Sequence, residues 1–121
     1  MTQIINARKI YDLEERTSKF AEDIIKFVKK VPPNTITKPL ITQLVKCGTS
    51  VGANYCEADD AESKNDFRHK IGICKKEARE SKHFIKIIVV AEPSMMNDAK
   101  PLWQEAKELN LILNTIYKKV K

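Results

Sequence analysis

Two carboxylate-x-x-His spacings are the first candidates for chemistry: Glu80 with His83, and Asp66 with His69. In a helical bundle, a Glu-x-x-His pair from each of two helices plus a Glu from each of two others builds a di-metal site. Here both pairs fall in one segment, off its apolar stripe and on a face shared with Lys76. That placement predicts a solvated surface and no metal. Ser50 and Ser81 have no histidine set by spacing to act as base, so nucleophilic catalysis is not indicated. The stretch GTSVG, Gly48 to Gly52, lacks the lysine of a phosphate loop, and no strand precedes it. Cys47, Cys56 and Cys74 are odd in number and show no C-x-x-C spacing. They argue against a disulfide framework and a zinc site, fit a reducing cytoplasm, and read as small packing residues. Glu77 and Glu80 lie one turn apart and read as ion-pair partners for Arg79 or for bases on another helix. No enzyme activity, cofactor or small-molecule substrate is expected.

The chemistry these residues favour is electrostatic. The chain carries 22 Lys+Arg against 16 Asp+Glu, a formal net charge of +6. Between Lys64 and Lys86, eight bases meet three acids, so this segment alone is +5. Arg68, Lys75 and Lys82 repeat every seven residues. Arg79 and Lys86 lie about 60° around the helical wheel from them. The five form one strip beside an apolar stripe, a pattern able to track phosphates. The plainer reading is a solvated face that keeps the protein soluble. No basic run interleaves with aromatics, so base stacking is not indicated.

Those residues need elements to hold them. A chain of 121 residues with 42% apolar and 31% charged residues suits one domain with its own core. Pro32, Pro33, Pro39, Pro93 and Pro101 fall between periodic segments or at their starts, where proline is tolerated. They divide the chain into helices over about 10–30, 38–61, 64–92 and 98–120. The first carries Leu13, Phe20 and Phe27 with Thr17, Ile24 and Val31. The second carries Leu40, Leu44, Cys47, Val51, Asn54 and Ala58. The third carries Phe67, Ile71, Cys74, Ala78, Ser81, Ile85 and Ile88. The fourth carries Leu102, Ala106, Leu109, Leu113, Ile116 and Val120. Each set recurs at helical spacing. Asp12 with Glu15 reads as a capping box, Thr37 as the second cap, and Ser63 as the third start signal. Asn54 is a polar group on a stripe, a position that commonly fixes register.

No segment alternates with period two, so no sheet is expected. Short links force neighbouring helices antiparallel, giving an all-α, up-down-up-down four-helix bundle. No apolar run is long enough to span a membrane, and Met1 to Arg8 lacks a secretory signal, so a cytoplasmic location is expected. This topology gathers Lys26, Lys29, Lys30, Lys38, Lys82 and Lys86 at one end. It gathers Asp12, Glu14, Glu15, Glu57, Asp59, Asp60 and Glu62 at the other, partly offset by Lys118, Lys119 and Lys121.

The stretch GTSVGANYCEA, Gly48 to Ala58, carries a family resemblance. With DLEERTSKFA (Asp12 to Ala21), Asp66-Phe67 and KEARES (Lys76 to Ser81), it resembles the four-helix-bundle protein family encoded in intervening sequences of bacterial 23S rRNA genes. The similarity covers about residues 8 to 92. Gly48, Thr49, Ser50, Val51, Gly52, Ala53, Asn54, Tyr55, Glu57 and Ala58 match the family's second helix, and Glu77, Ala78 and Glu80 its third. The chain departs at His83-Phe84-Ile85, where the family often has an aromatic-Trp-Leu run, and at Cys47, where Ser is common.

The resemblance implies a left-handed bundle, assembly as a homopentamer, and no enzyme activity. A related accessory protein of diversity-generating retroelements forms a similar basic barrel that binds nucleic acid and a reverse transcriptase. The expected function is therefore an oligomeric module that binds RNA or DNA, with RNA favoured. The alternative is a protein-interaction or assembly scaffold, with Trp103, Tyr117 and Phe84 as exposed aromatic candidates. Gly48, Gly52 and Cys56 leave one face of the second helix nearly bare. Close packing within the chain, against the third helix, is the favoured reading over a subunit contact.

Overall fold

The computed structural model describes residues 12–120. Four α-helices follow one another: α1 (Leu13–Lys29), α2 (Thr37–Asp59), α3 (Lys64–Ala91) and α4 (Met96–Lys119), with a 3-10 turn at Pro93–Met95 before the last. No strand occurs among the described residues. Met1 to Arg8 and the expected first residues of helix 1 lie outside them.

Contacts between helices set their directions. A side chain on Gly48 would meet Ile24, and one on Gly52 would meet Thr17, so α1 and α2 run antiparallel. Cys47 meets Ser81 and Val51 meets Cys74, which makes α2 and α3 antiparallel. Arg68 reaches Tyr117 and Lys75 reaches Asn114, which does the same for α3 and α4. Arg16 pairs with Glu105 and Lys30 with Asp98, closing the ring antiparallel between α4 and α1. This is the up-down-up-down bundle that the short connectors require. The α1–α4 seam is the loosest of the four.

The stripes meet in one core. Leu13, Phe20, Ile24, Leu44, Val51, Ile71, Ile85, Ile88, Leu109 and Leu113 are fully buried within it. Met95 and Ala99 join it, extending the fourth stripe upstream of the expected start, because the helix begins at Met96. Pro101 therefore sits inside α4 rather than at its start, and the helix tolerates one missing backbone bond there.

Three local expectations are corrected. Asp12 precedes α1 without any side-chain capping bond, so there is no capping box. Thr37 is the first helical residue of α2 and not its cap. Asn34 does that work: its Oδ1 accepts from the N–H groups of Ile36 and Thr37, at 2.9 and 2.8 Å. The Thr37 hydroxyl is buried and donates to the Pro32 carbonyl, which ties the α1–α2 loop to the helix. On α2 the core position after Val51 is Tyr55 and not Asn54. Asn54 is half-buried, and its amide donates to the Ser50 carbonyl of its own helix, so it fixes no inter-helix register. Ser63 does cap α3, accepting from the Asp66 N–H.

Candidate nucleic-acid interface

The five bases of the predicted strip all lie on α3, whose stripe buries Ile71, Cys74, Ala78, Ser81, Ile85 and Ile88 against its neighbours. The rest of the helix surface decides what each base does. The structure divides the strip into three environments.

Arg68 is half-buried and committed to α4. Its Nε donates to the Tyr117 carbonyl at 3.3 Å and its Nη1 to the Tyr117 hydroxyl at 3.0 Å. The guanidinium also lies 3.8 Å from the centroid of that ring. Tyr117 also packs against Gly72, where a Cβ would sit 3.0 Å from the ring. Lys75 is next along α3. Its ammonium lies 4.5 Å from the same ring centroid and donates to Asn114 Oδ1 at 3.2 Å. Arg68 and Lys75 thus hold the last turns of α4 in place.

The middle of the strip opens into a groove of about 400 Å³ between α3 and α4. Lys75, Lys76, Arg79 and Lys82 line one wall, and Asn110 and Asn114 line the other. Asn110 donates to the Lys75 carbonyl at 2.7 Å, which fixes the second wall against the first. Among the described residues no carboxylate lines this groove, and Lys76, Arg79 and Lys82 enter no ion pair. Several positive groups facing one groove without counter-charge will attract polyanions. Lys76, Asn110 and Asn114 were not among the expected site residues. The readable signal for the asparagines was their four-residue spacing beside Leu109 and Leu113.

Lys86 belongs to a third place. It borders an apolar cleft at the basic end of the bundle, with Ile85, Val89, Val90, Met96 and Trp103. Trp103, Tyr117 and Phe84 are not free aromatics: all three pack partly buried against the core.

The remaining expected positions also take definite roles. Glu77 is half-buried and Glu80 exposed, and among the described residues neither forms the expected ion pair. Burial and the neighbouring Glu80 raise the Glu77 pKa, while the Ser50 hydroxyl and Lys46 pull it down. Glu57 near the end of α2 pairs with Lys70 at 3.0 Å, which offsets one acid at a negative helix terminus. Gly48 and Gly52 make the bare face of α2, and packing is within the chain, but against α1 rather than α3. A Cβ on Gly48 would sit 2.8 Å from Ile24 Cγ1, and one on Gly52 3.3 Å from the Thr17 carbonyl oxygen.

Cys47 and Cys74 are core residues, and burial pushes the Cys74 thiol up to about 12. Cys56 is exposed, contrary to its expected packing role, and its thiol donates to Glu14 Oε1 of α1 at 3.9 Å. Among the described residues no three His, Cys, Asp or Glu side chains converge as a metal set, and no helix is long and apolar enough to cross a membrane.

Comparison with known proteins places this architecture. Among curated proteins nothing matches the chain. A solved structure is similar over 92% of this chain and 99% of its own, with 26% identity and a TM-score of 0.79. It is the 1.70 Å crystal structure of a protein with unknown function from the S23 ribosomal protein family of Bacteroides thetaiotaomicron. The model of the family described as 23S rRNA-intervening sequence protein matches residues 10–115, which take in the first three helices, most of α4 and both walls of the basic groove. With the match spanning most of its length, the chain belongs to the 23S rRNA-intervening sequence protein family.

Proposed function

We propose that this chain is a non-enzymatic, oligomeric protein of the cytoplasm that binds the phosphate backbone of structured RNA. The observation that carries the reading is the groove where Lys75, Lys76, Arg79 and Lys82 face Asn110 and Asn114 with no acid in the lining. Ammonium and guanidinium groups there would displace condensed counterions, which makes binding favourable and strongly salt-dependent. Amide walls add hydrogen bonds without reading base edges, so sequence preference is weak. Family membership supports RNA over DNA. The resemblance supplies the homopentamer, in which five basic grooves act together. Arg68 and Lys86 lie at the margins of this surface, the first held by Tyr117 and the second turned to the apolar cleft.

A mobility-shift titration of a structured RNA across salt concentrations tests the proposal. Affinity should fall steeply and linearly on a log–log plot. Reversing Lys76, Arg79 and Lys82 together to Glu should abolish the shift while circular dichroism stays helical. A flat salt response, or unchanged binding by the reversed variant, overturns the reading.

The second reading is a protein-interaction scaffold. It is favoured by the apolar cleft beside Lys86, which phosphate binding does not explain. Light scattering bears on both readings, since a monomer at micromolar concentration removes the oligomer they share.

A further inference from the structure

The cleft at the basic end has a volume of about 470 Å³ and lies between the last turns of α3 and the first turns of α4. Its floor is apolar: Ile85, Val89, Ala99 and Trp103, with Val90 and Met96 at the mouth. Val90 is 70% exposed and Met96 48% exposed, so two large apolar side chains sit in water beside an apolar hollow. The rim is basic. Lys86 and Lys100 border the cleft on α3 and α4. Lys82 and Lys107 each lie 5.6 Å from the Trp103 ring centroid. Among the described residues none of these four lysines meets a carboxylate within ion-pair distance.

We propose that this cleft docks an acidic amphipathic α-helix of a partner protein. The lining along α4, Met96 to Gln104, is about 12 Å long at the helical rise, which matches two turns of a partner helix. Such a helix places apolar anchors at i, i+3 or i+4, and i+7 into the floor, while Asp and Glu on its flanks meet lysines on both rims. A nucleotide base fits poorly, because an apolar floor would strip its polar edge of water without replacing the hydrogen bonds. A second copy of this chain also fits poorly. Among the described residues its other exposed large apolar side chains, Ile25, Ile36 and Leu111, stand singly on different elements and offer no row of anchors. The site shares only Lys82 with the phosphate groove, and Val90, Met96, Lys86 and Lys100 lie outside that groove, so either can fail without the other.

Trp103 is the chain's one tryptophan and lies in the cleft, so its emission reports occupancy directly. The probe is a synthetic helical peptide with Leu at i, i+4 and i+7 and Glu on both flanks. Titration into the full-length protein should shift Trp103 emission to shorter wavelength and saturate. Met96→Asp with Val90→Asp should weaken binding roughly tenfold or more, without unfolding, because both side chains are exposed. Lys86→Glu with Lys100→Glu should do the same, and a peptide with Lys in place of Glu should not bind. Any of four results overturns the proposal: no saturable shift, equal binding of the basic peptide, emission that changes with protein concentration alone, or structured RNA that produces the shift and displaces the peptide. The last two identify a second copy or RNA as the occupant.

Discussion

Glu77 shows how one residue can weigh against the fold that holds it. Its carboxyl is partly buried next to Glu80, and its pKa is raised mainly by that burial. The native state therefore holds its proton to higher pH than the unfolded chain does. The stability linked to that proton is fully present below the ordinary value of 4.5 and is lost as pH rises through the folded value. Glu77→Gln removes the loss. Its melting temperature should exceed that of the parent at neutral pH, and the gap should close in acid below 4.5; a gap that stays constant with pH would show the assignment to be wrong. Glu77 was legible as a residue at the edge of the stripe, but that it forms no ion pair among the described residues was not. That depends on which bases the neighbouring helices bring within reach.

Among the elements, α2 is the one whose sequence was most informative and most misleading. Its two glycines signalled close backbone approach, and the approach is real. The side they face was not legible, because α2 touches two neighbours. Gly48 and Gly52 face α1, while Val51 and Cys47 face α3. The choice of Asn54 over Tyr55 has a similar source. Val51 and Ala58 are both buried as expected, and helical spacing allows the core position between them at i+3 or i+4, so only packing selects Tyr55. Thr17 makes the close contact possible by donating its buried hydroxyl to the Leu13 carbonyl at 2.6 Å, inside its own helix. Alanine at Gly52 would improve helix propensity by about 1 kcal/mol. Yet the new Cβ would press on the Thr17 backbone, and backbone does not yield as a side-chain tip does. Gly52→Ala should therefore lower stability by roughly 1–2 kcal/mol net in denaturant titration. An unchanged or raised midpoint would mean that the helices can part at little cost.

At the scale of the molecule, the number, order and antiparallel course of the helices followed from apolar spacing and proline placement alone. The basic groove did not, since its second wall comes from α4, whose asparagines carry no charge to attract notice. Composition showed that the chain is basic; only packing shows that Arg68 and Lys75 are partly consumed in holding Tyr117. The salt response should follow this division. Neutralising Arg79 alone should reduce the log–log slope by about one contact's worth, near 0.9. Arg68→Ala should change thermal stability more than slope. Equal loss of slope from both would show that the strip acts as one surface.

The loose seam between α1 and α4 has a consequence for how the chain reaches this structure. Its Arg16 fork to Glu105 joins residues 89 apart in sequence, while the other three helix pairs are sequence neighbours joined by short links. Joining distant segments carries the larger loop-closure cost, so sealing this seam should be the final event of folding. Contacts formed after the barrier govern unfolding speed and leave the forward rate unchanged. In stopped-flow measurements Glu105→Gln should hasten unfolding and leave refolding nearly untouched. Until that last closure Phe27, which lies beside Leu102 at this seam, would remain open along one side, and this is where the chain would be most exposed to aggregation during synthesis.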